Sequence, residues 1–113
     1  MENASIKVDS EIREKVLEMG PLEYVFPGST SKILDFLCVF KEYDYSITDI
    51  AKNSGLSFKT AFDEIKRLEK QEVMTNSRTV GKSRMYKLNL DSAQAKSIEK
   101  LAFDIAKKRI NRI

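Results

Sequence analysis

Histidine is absent from these 113 residues, and cysteine occurs once. The commonest general base and the commonest transition-metal ligand are therefore missing. A single thiol builds neither a zinc site nor a Cys–His dyad. No G-x-x-x-x-G-K-[ST] or G-x-G-x-x-G string is present to cradle phosphates. Carboxylates are plentiful, but they alternate with lysines at helix-surface spacing, the pattern of a solvated face. The expectation is a non-enzyme with no metal and no cofactor. No apolar run approaches the roughly 20 residues needed to cross a bilayer. The opening MENASIKVDSEIREK is acidic and lacks the apolar segment of a signal peptide. A cytoplasmic chain without membrane contact is expected, with Cys38, inside ILDFLCVF, as a core thiol.

With 42% hydrophobic and 33% charged residues, the chain reads as one globular domain with a helical lean. Its net charge of +3 is unevenly spread. Residues 1–45 hold five Lys/Arg against nine Asp/Glu, residues 46–90 nine against five, and residues 91–113 six against three. Between Val73 and Leu90 lie Arg78, Lys82, Arg84 and Lys87 with no acid among them. An acidic front and a basic middle fit a protein that turns one face to a polyanion.

Periodicity and punctuation divide the chain into elements. Asp9 or Ser10 can cap a short helix to about Met19, ended by Gly20-Pro21. PLEYVFPGST reads as a loop or extended arm that lays Leu22, Tyr24, Val25 and Phe26 on a neighbouring surface. Ser29 or Ser31 caps the next helix, STSKILDFLCVFKEY, with Ile33, Leu34, Leu37 and Phe40 on a buried stripe. Tyr43-Asp44-Tyr45 suits a brief extended segment. Ser46-Ile47-Thr48-Asp49 matches a capping box and opens ITDIAKNS, which stops at Gly55. Ser57 caps a third helix with Ala61, Ile65 and Leu68 inward. VMTNSRTV and SRMYKLNL alternate loosely around Gly81-Lys82, as two strands of a hairpin do. Tyr43, Tyr45 and Tyr86 read as packing residues whose hydroxyls reach water. Asp91 or Ser92 caps a last helix of about twenty residues.

From Ser29 to Leu90 this order resembles the winged helix-turn-helix family of DNA-binding domains, in particular the MarR/ArsR-like bacterial and archaeal regulators. SITDIAKNSGLSFKTAFDEIKRLEK carries the resemblance, with its Ile-Ala pair, Gly-Leu-Ser turn and Leu-Glu-Lys end. One departure falls at Glu72-Val73-Met74, where such families usually carry glycine and two aliphatics. The resemblance implies an α+β, mainly α fold: a winged helix-turn-helix with a short N-terminal helix and a long C-terminal one. The expected division is an N-terminal helix and arm (1–28), the winged domain (29–90) and a C-terminal dimerisation helix (91–113).

With the inward stripe of the third helix assigned, its outward edge carries the candidate site. An α-helix with its side chains fits the major groove, about 12 Å wide. Ser57, Thr60 and the first amides can meet phosphates. Lys59 and Lys66 can reach guanine acceptors or phosphates, Phe58 or Phe62 a thymine methyl, and Asp63 a cytosine amino group. A recognition helix over about 57–70 and a wing over about 76–87 follow, the wing bringing Arg78, Lys82 and Arg84 to the backbone or minor groove. Phe58 and Phe62 can instead pack on the arm or the domain's own loops. On the last helix Ile98, Leu101, Ala102, Ile105, Ala106, Ile110 and Ile113 share half the circumference, wide enough to pair with the same helix of a second chain. The reading is a homodimeric transcriptional regulator specific for double-stranded DNA. The alternative is a winged helix that contacts proteins in a transcription, replication or DNA-segregation assembly.

Overall fold

A computed structural model describes residues 19–111. The helix expected before Met19, and Ile113 of the terminal stripe, lie outside the described residues. The element order is α1 (Pro21–Val25), α2 (Ser29–Val39), β1 (Tyr45–Ser46), α3 (Ile47–Ser54), α4 (Phe58–Lys70), β2 (Met74–Val80), β3 (Ser83–Leu88) and α5 (Ala93–Asn111). The three strands form one antiparallel sheet in the order β1-β3-β2. Together they make a mainly helical α+β winged helix-turn-helix.

The expected arm is instead the helix α1. Pro21 stands at its first position, where the missing amide costs nothing. The carboxylate of Asp35, from α2, accepts from the amides of Leu22 (2.8 Å) and Glu23 (2.9 Å). No local pattern advertises that cap, because its acceptor lies 13 residues away. Leu22 is buried beneath it. Burial pushes the Asp35 carboxyl above its usual range, against the pull of the two amides. Gly20 is required there, since a Cβ would sit 2.1 Å from Asp35 Oδ2.

Helix α2 starts without a side-chain cap, so neither Ser29 nor Ser31 fills that role. It also ends early, at Val39, which leaves Phe40 half exposed rather than on the buried stripe. Ile33, Leu34 and Leu37 do face inward, and meet Ile50, Ala51, Ala61, Ile65 and Leu68 from α3 and α4. Val73, Met74, Tyr86 and Leu88 close the core from the sheet side. Cys38 is partly buried, and desolvation lifts its thiol to about 12, so it stays protonated at neutral pH. Helix α5 is capped by Ser92, whose hydroxyl accepts from the Ala95 amide at 3.1 Å. Of its 19 residues only Ala95 and Ala102 are buried.

Candidate nucleic-acid interface

The helix–turn–helix is built from local instructions. Ser46 accepts from the Asp49 amide at 3.1 Å, as the capping box requires. At the other end of α3, Gly55 takes φ +68 and the Leu56 amide bonds back to the Ala51 carbonyl at 2.9 Å. Ser57 then caps α4 by accepting from the Thr60 amide at 3.2 Å. Ala61, Ile65 and Leu68 are buried, so the opposite edge of α4 must face out. Thr30 and Arg67 both bond Glu64, which ties α4 to the start of α2.

On that edge Phe58 is 54% and Phe62 40% exposed, with ring centroids 6.1 Å apart. They do not pack into the core. Lys59 and Asp63 are exposed and pair with each other at 3.4 Å. The Thr60 hydroxyl is bonded to Ser57 Oγ at 3.0 Å. Lys66 is drawn inward: its Nζ donates to the Tyr86 hydroxyl at 2.9 Å and lies 3.7 Å from Glu69. The Tyr86 hydroxyl therefore meets a lysine rather than water, and the residue is fully buried.

The wing is a hairpin closed by Gly81-Lys82, with a register irregularity between Asn76 and Arg78. Lys82 stands exposed at the tip. Arg84 is 3.5 Å from Glu69, and its guanidinium covers the Tyr86 ring at 5.8 Å. Arg78 makes a two-pronged pair with Asp44, Nε at 2.9 Å and a second nitrogen at 3.1 Å. That pair, with the Ser77 hydroxyl, holds the Asp44 carboxyl down at about 2. Between the wing and α4 opens a cleft of ≈ 240 Å³. It brings together Phe58, Phe62, Lys66, Lys82 and Arg84, but not Arg78.

Sequence reasoning missed the two acids that engage these cations. Glu69 is legible, three residues beyond Lys66 on the same helix face. Asp44 is not, lying 34 residues from Arg78. On α5, Ala102 is buried in the chain's own core and Ile98 and Ile105 pack partly against it. Leu101 and Ile110 stay exposed, joined by Phe103, which the stripe omitted. Among the described residues no group of three His, Cys, Asp or Glu can hold a metal, and no helix is long and apolar enough to cross a membrane.

No protein-family model matches the chain, and no curated protein does. Solved structures do match. ZitR of Lactococcus lactis, wild type in complex with DNA, superposes with TM-score 0.60 at 15% identity over 99% of this chain and 79% of that one. The adhesin competence repressor AdcR of Streptococcus pyogenes gives TM-score 0.61 at 18% identity, over 96% and 76% of the two chains. The homodimeric winged helix-turn-helix DNA-binding domain of Mb0332 from Mycobacterium bovis, a possible ArsR-family regulator, gives 0.56 at 18% identity, over 100% and 93%. Against two ZitR mutants the match spans only 56% and 59% of their length. At these identities the likeness defines the fold: this chain has the winged helix-turn-helix architecture of those regulators.

Proposed function

We propose that the chain is a homodimeric, sequence-specific binder of double-stranded DNA that regulates transcription. Helix α4 lies in the major groove and the wing lies on the backbone or in the minor groove. The observation that carries this reading is the cleft between α4 and the wing, lined by Lys66, Lys82 and Arg84 and by no acid, in a fold shared with a regulator solved on DNA. Ser57, Phe58, Lys59, Thr60, Phe62 and Asp63 form the leading edge. Residues 29–90 act as the DNA-binding unit and residues 91–113 as the dimerisation helix, with residues 1–28 as the N-terminal segment before them. Dimerisation covers Phe103 and Ile110, which share one face of α5 and are 65% and 71% exposed in the single chain, whereas Leu101, 42% exposed, lies on the side of α5 toward Leu22 and Leu34. Two α4 helices then fall on one side, about one helical turn of DNA apart.

Binding of the full chain to genomic duplex fragments across a salt series tests the reading. Neutralising phosphates with Lys59, Lys82 and Arg84 gives a log–log slope of about −3 per chain. Lys59→Ala and Arg84→Ala each weaken binding and flatten the slope. Duplex affinity that is undetectable at low salt refutes the proposal. Sedimentation should report twice the mass of one chain, falling toward one for Ile110→Glu. The Lys59–Asp63 pairing and the two bare phenylalanines favour a second reading, a protein-contacting winged helix. Aromatic edges of that kind anchor protein interfaces.

A further inference from the structure

The leading edge of α4 is poorly furnished for reading base-pair edges. Discrimination in the major groove comes chiefly from Arg, Lys, Asn or Gln reaching paired donors and acceptors. On α4 the one arginine, Arg67, is bound to Glu64 and Thr30. Lys66 is engaged by Tyr86 and Glu69, and Lys59 by Asp63. Lys70 is exposed too, but at the far end of the helix; what stands bare on the leading edge is aromatic: Phe58 and Phe62, one helical turn apart. A duplex offers such rings little beyond thymine methyls, because base faces are covered by their neighbours in the stack.

The cleft beside the rings is cationic as well as aromatic. Lys66 Nζ lies 5.5 Å from the centroid of Phe62 and 5.5 Å from that of Tyr86. Arg84 stands on the wing side of the same space, over Tyr86. The free hydroxyls of Thr48 and Ser83 line it too, and it contains no carboxylate. Ring faces that stack a base, a guanidinium that covers its other side and ammonium groups that meet the flanking phosphates are the elements of unpaired-nucleotide recognition.

We propose that the cleft between α4 and the wing takes one unpaired nucleobase, stacked on Phe62, so that DNA carrying a looped-out base is bound in preference to uninterrupted duplex. The inference rests on the DNA-binding reading and narrows its substrate. The base enters between Phe62 and Arg84, Phe58 flanks it, and Lys82 at the wing tip meets its phosphate. Because every base has a π-face, the preference is for the unpaired state rather than for one base identity.

The test compares three probes at one salt concentration: a perfect duplex, the same duplex with one looped-out 2-aminopurine, and the corresponding single strand. The full chain should bind the looped-out probe about tenfold tighter than the perfect duplex, the gain of one base–aromatic stack. Its 2-aminopurine fluorescence should fall as the base stacks. Phe62→Ala should erase both effects, so that the looped-out probe and the perfect duplex bind with the same affinity, whatever that affinity is; Phe62→Tyr should retain the roughly tenfold preference and the fluorescence loss. Phe62 is exposed, so neither variant threatens folding, and an unchanged melting temperature verifies that. Equal or weaker binding of the looped-out probe, with the perfect duplex still bound, overturns the inference alone. Failure to bind any of the three overturns the DNA-binding reading with it.

Discussion

Glu72 sits where the backbone asks for glycine. The chain leaves α4 with the Val73 amide bonded to the Leu68 carbonyl at 2.9 Å and the Glu72 amide to the Glu69 carbonyl at 3.0 Å. This is the Schellman closure, and it puts the residue between those two bonds in the left-handed region. Glu72 accordingly has φ +63, the one non-glycine positive φ among the described residues. Helix α3 ends the same way, with Leu56 bonded to Ala51, but there Gly55 occupies the left-handed position. The same turn thus occurs twice, once with glycine and once with glutamate.

Replacing Glu72 by glycine should therefore stabilise the protein. Left-handed backbone costs an L-residue roughly 1–2 kcal/mol, while the extra freedom of glycine in the unfolded chain returns roughly 0.5–1 kcal/mol. Removing a carboxylate from a helix C-terminus adds about 0.3 kcal/mol at an exposed site. The sum is a gain of about 1 kcal/mol, or roughly 4 °C in melting temperature for a domain of this size. Calorimetry and urea titration measure it. Glu72→Ala separates the causes, because it removes the charge and keeps the strain; it should move stability by only a few tenths of a kcal/mol. Gly55→Ala should do the reverse and cost about 1 kcal/mol. A melting temperature for Glu72→Gly equal to or below that of the parent refutes the reasoning, since the strain would then not exist.

Three further outcomes follow from single contacts. Asp35→Ala leaves the Leu22 and Glu23 amides without their acceptor and should cost about 1–2 kcal/mol in urea unfolding. Asp44 is held at about 2 in the folded chain against an ordinary 3.8, so its contribution is complete above pH 4 and disappears as pH falls toward 2. The stability difference between parent and Asp44→Asn should accordingly shrink over that interval, and a difference that stays constant counts against the Arg78 pair. Cys38, pushed to about 12, should react with iodoacetamide at pH 8 far more slowly than a free thiol, and at the ordinary rate once unfolded in urea.

The parts of the fold that follow local rules were readable in advance. Ser46-x-x-Asp49, Gly55 and Ser57 each act on residues within a turn of themselves, so both ends of α3 and the start of α4 follow from them. The Ala61, Ile65, Leu68 stripe and the Gly81-Lys82 hairpin are equally local. What was not readable depends on distant partners. Helix α1 needs a carboxylate from α2, and PLEYVFPGST alone looks extended. Phe40 leaves the buried stripe because α2 stops one residue before it. The packing of Tyr86 was legible as an apolar position, but its hydroxyl partner, Lys66, is 20 residues away on another element. At the candidate site the exposure of Phe58 and Phe62 follows from helix period, whereas the commitment of Arg78 to Asp44 does not.

Those commitments change how the wing works. A basic hairpin without acids looks like a strip of free positive charge, and of its four cations Arg78 and Arg84 are each held by a carboxylate outside the hairpin. The two pairs differ in what they do. Arg78 and Asp44 join β2 to the loop before β1, away from the cleft, and largely cancel. Glu69 instead bridges Lys66 on its own helix and Arg84 on β3, and both cations rest on Tyr86. Glu69, which does not line the cleft, thus helps hold the angle between wing and helix through two cations that do. On the proposed DNA-binding reading, Glu69→Gln should loosen that angle, and the free charge it leaves should strengthen non-specific DNA binding while reducing discrimination between sequences. A variant that gains affinity with discrimination intact would mean that Glu69 only offsets charge. A parallel loss of both would mean that the bridge is needed for the surface to form at all.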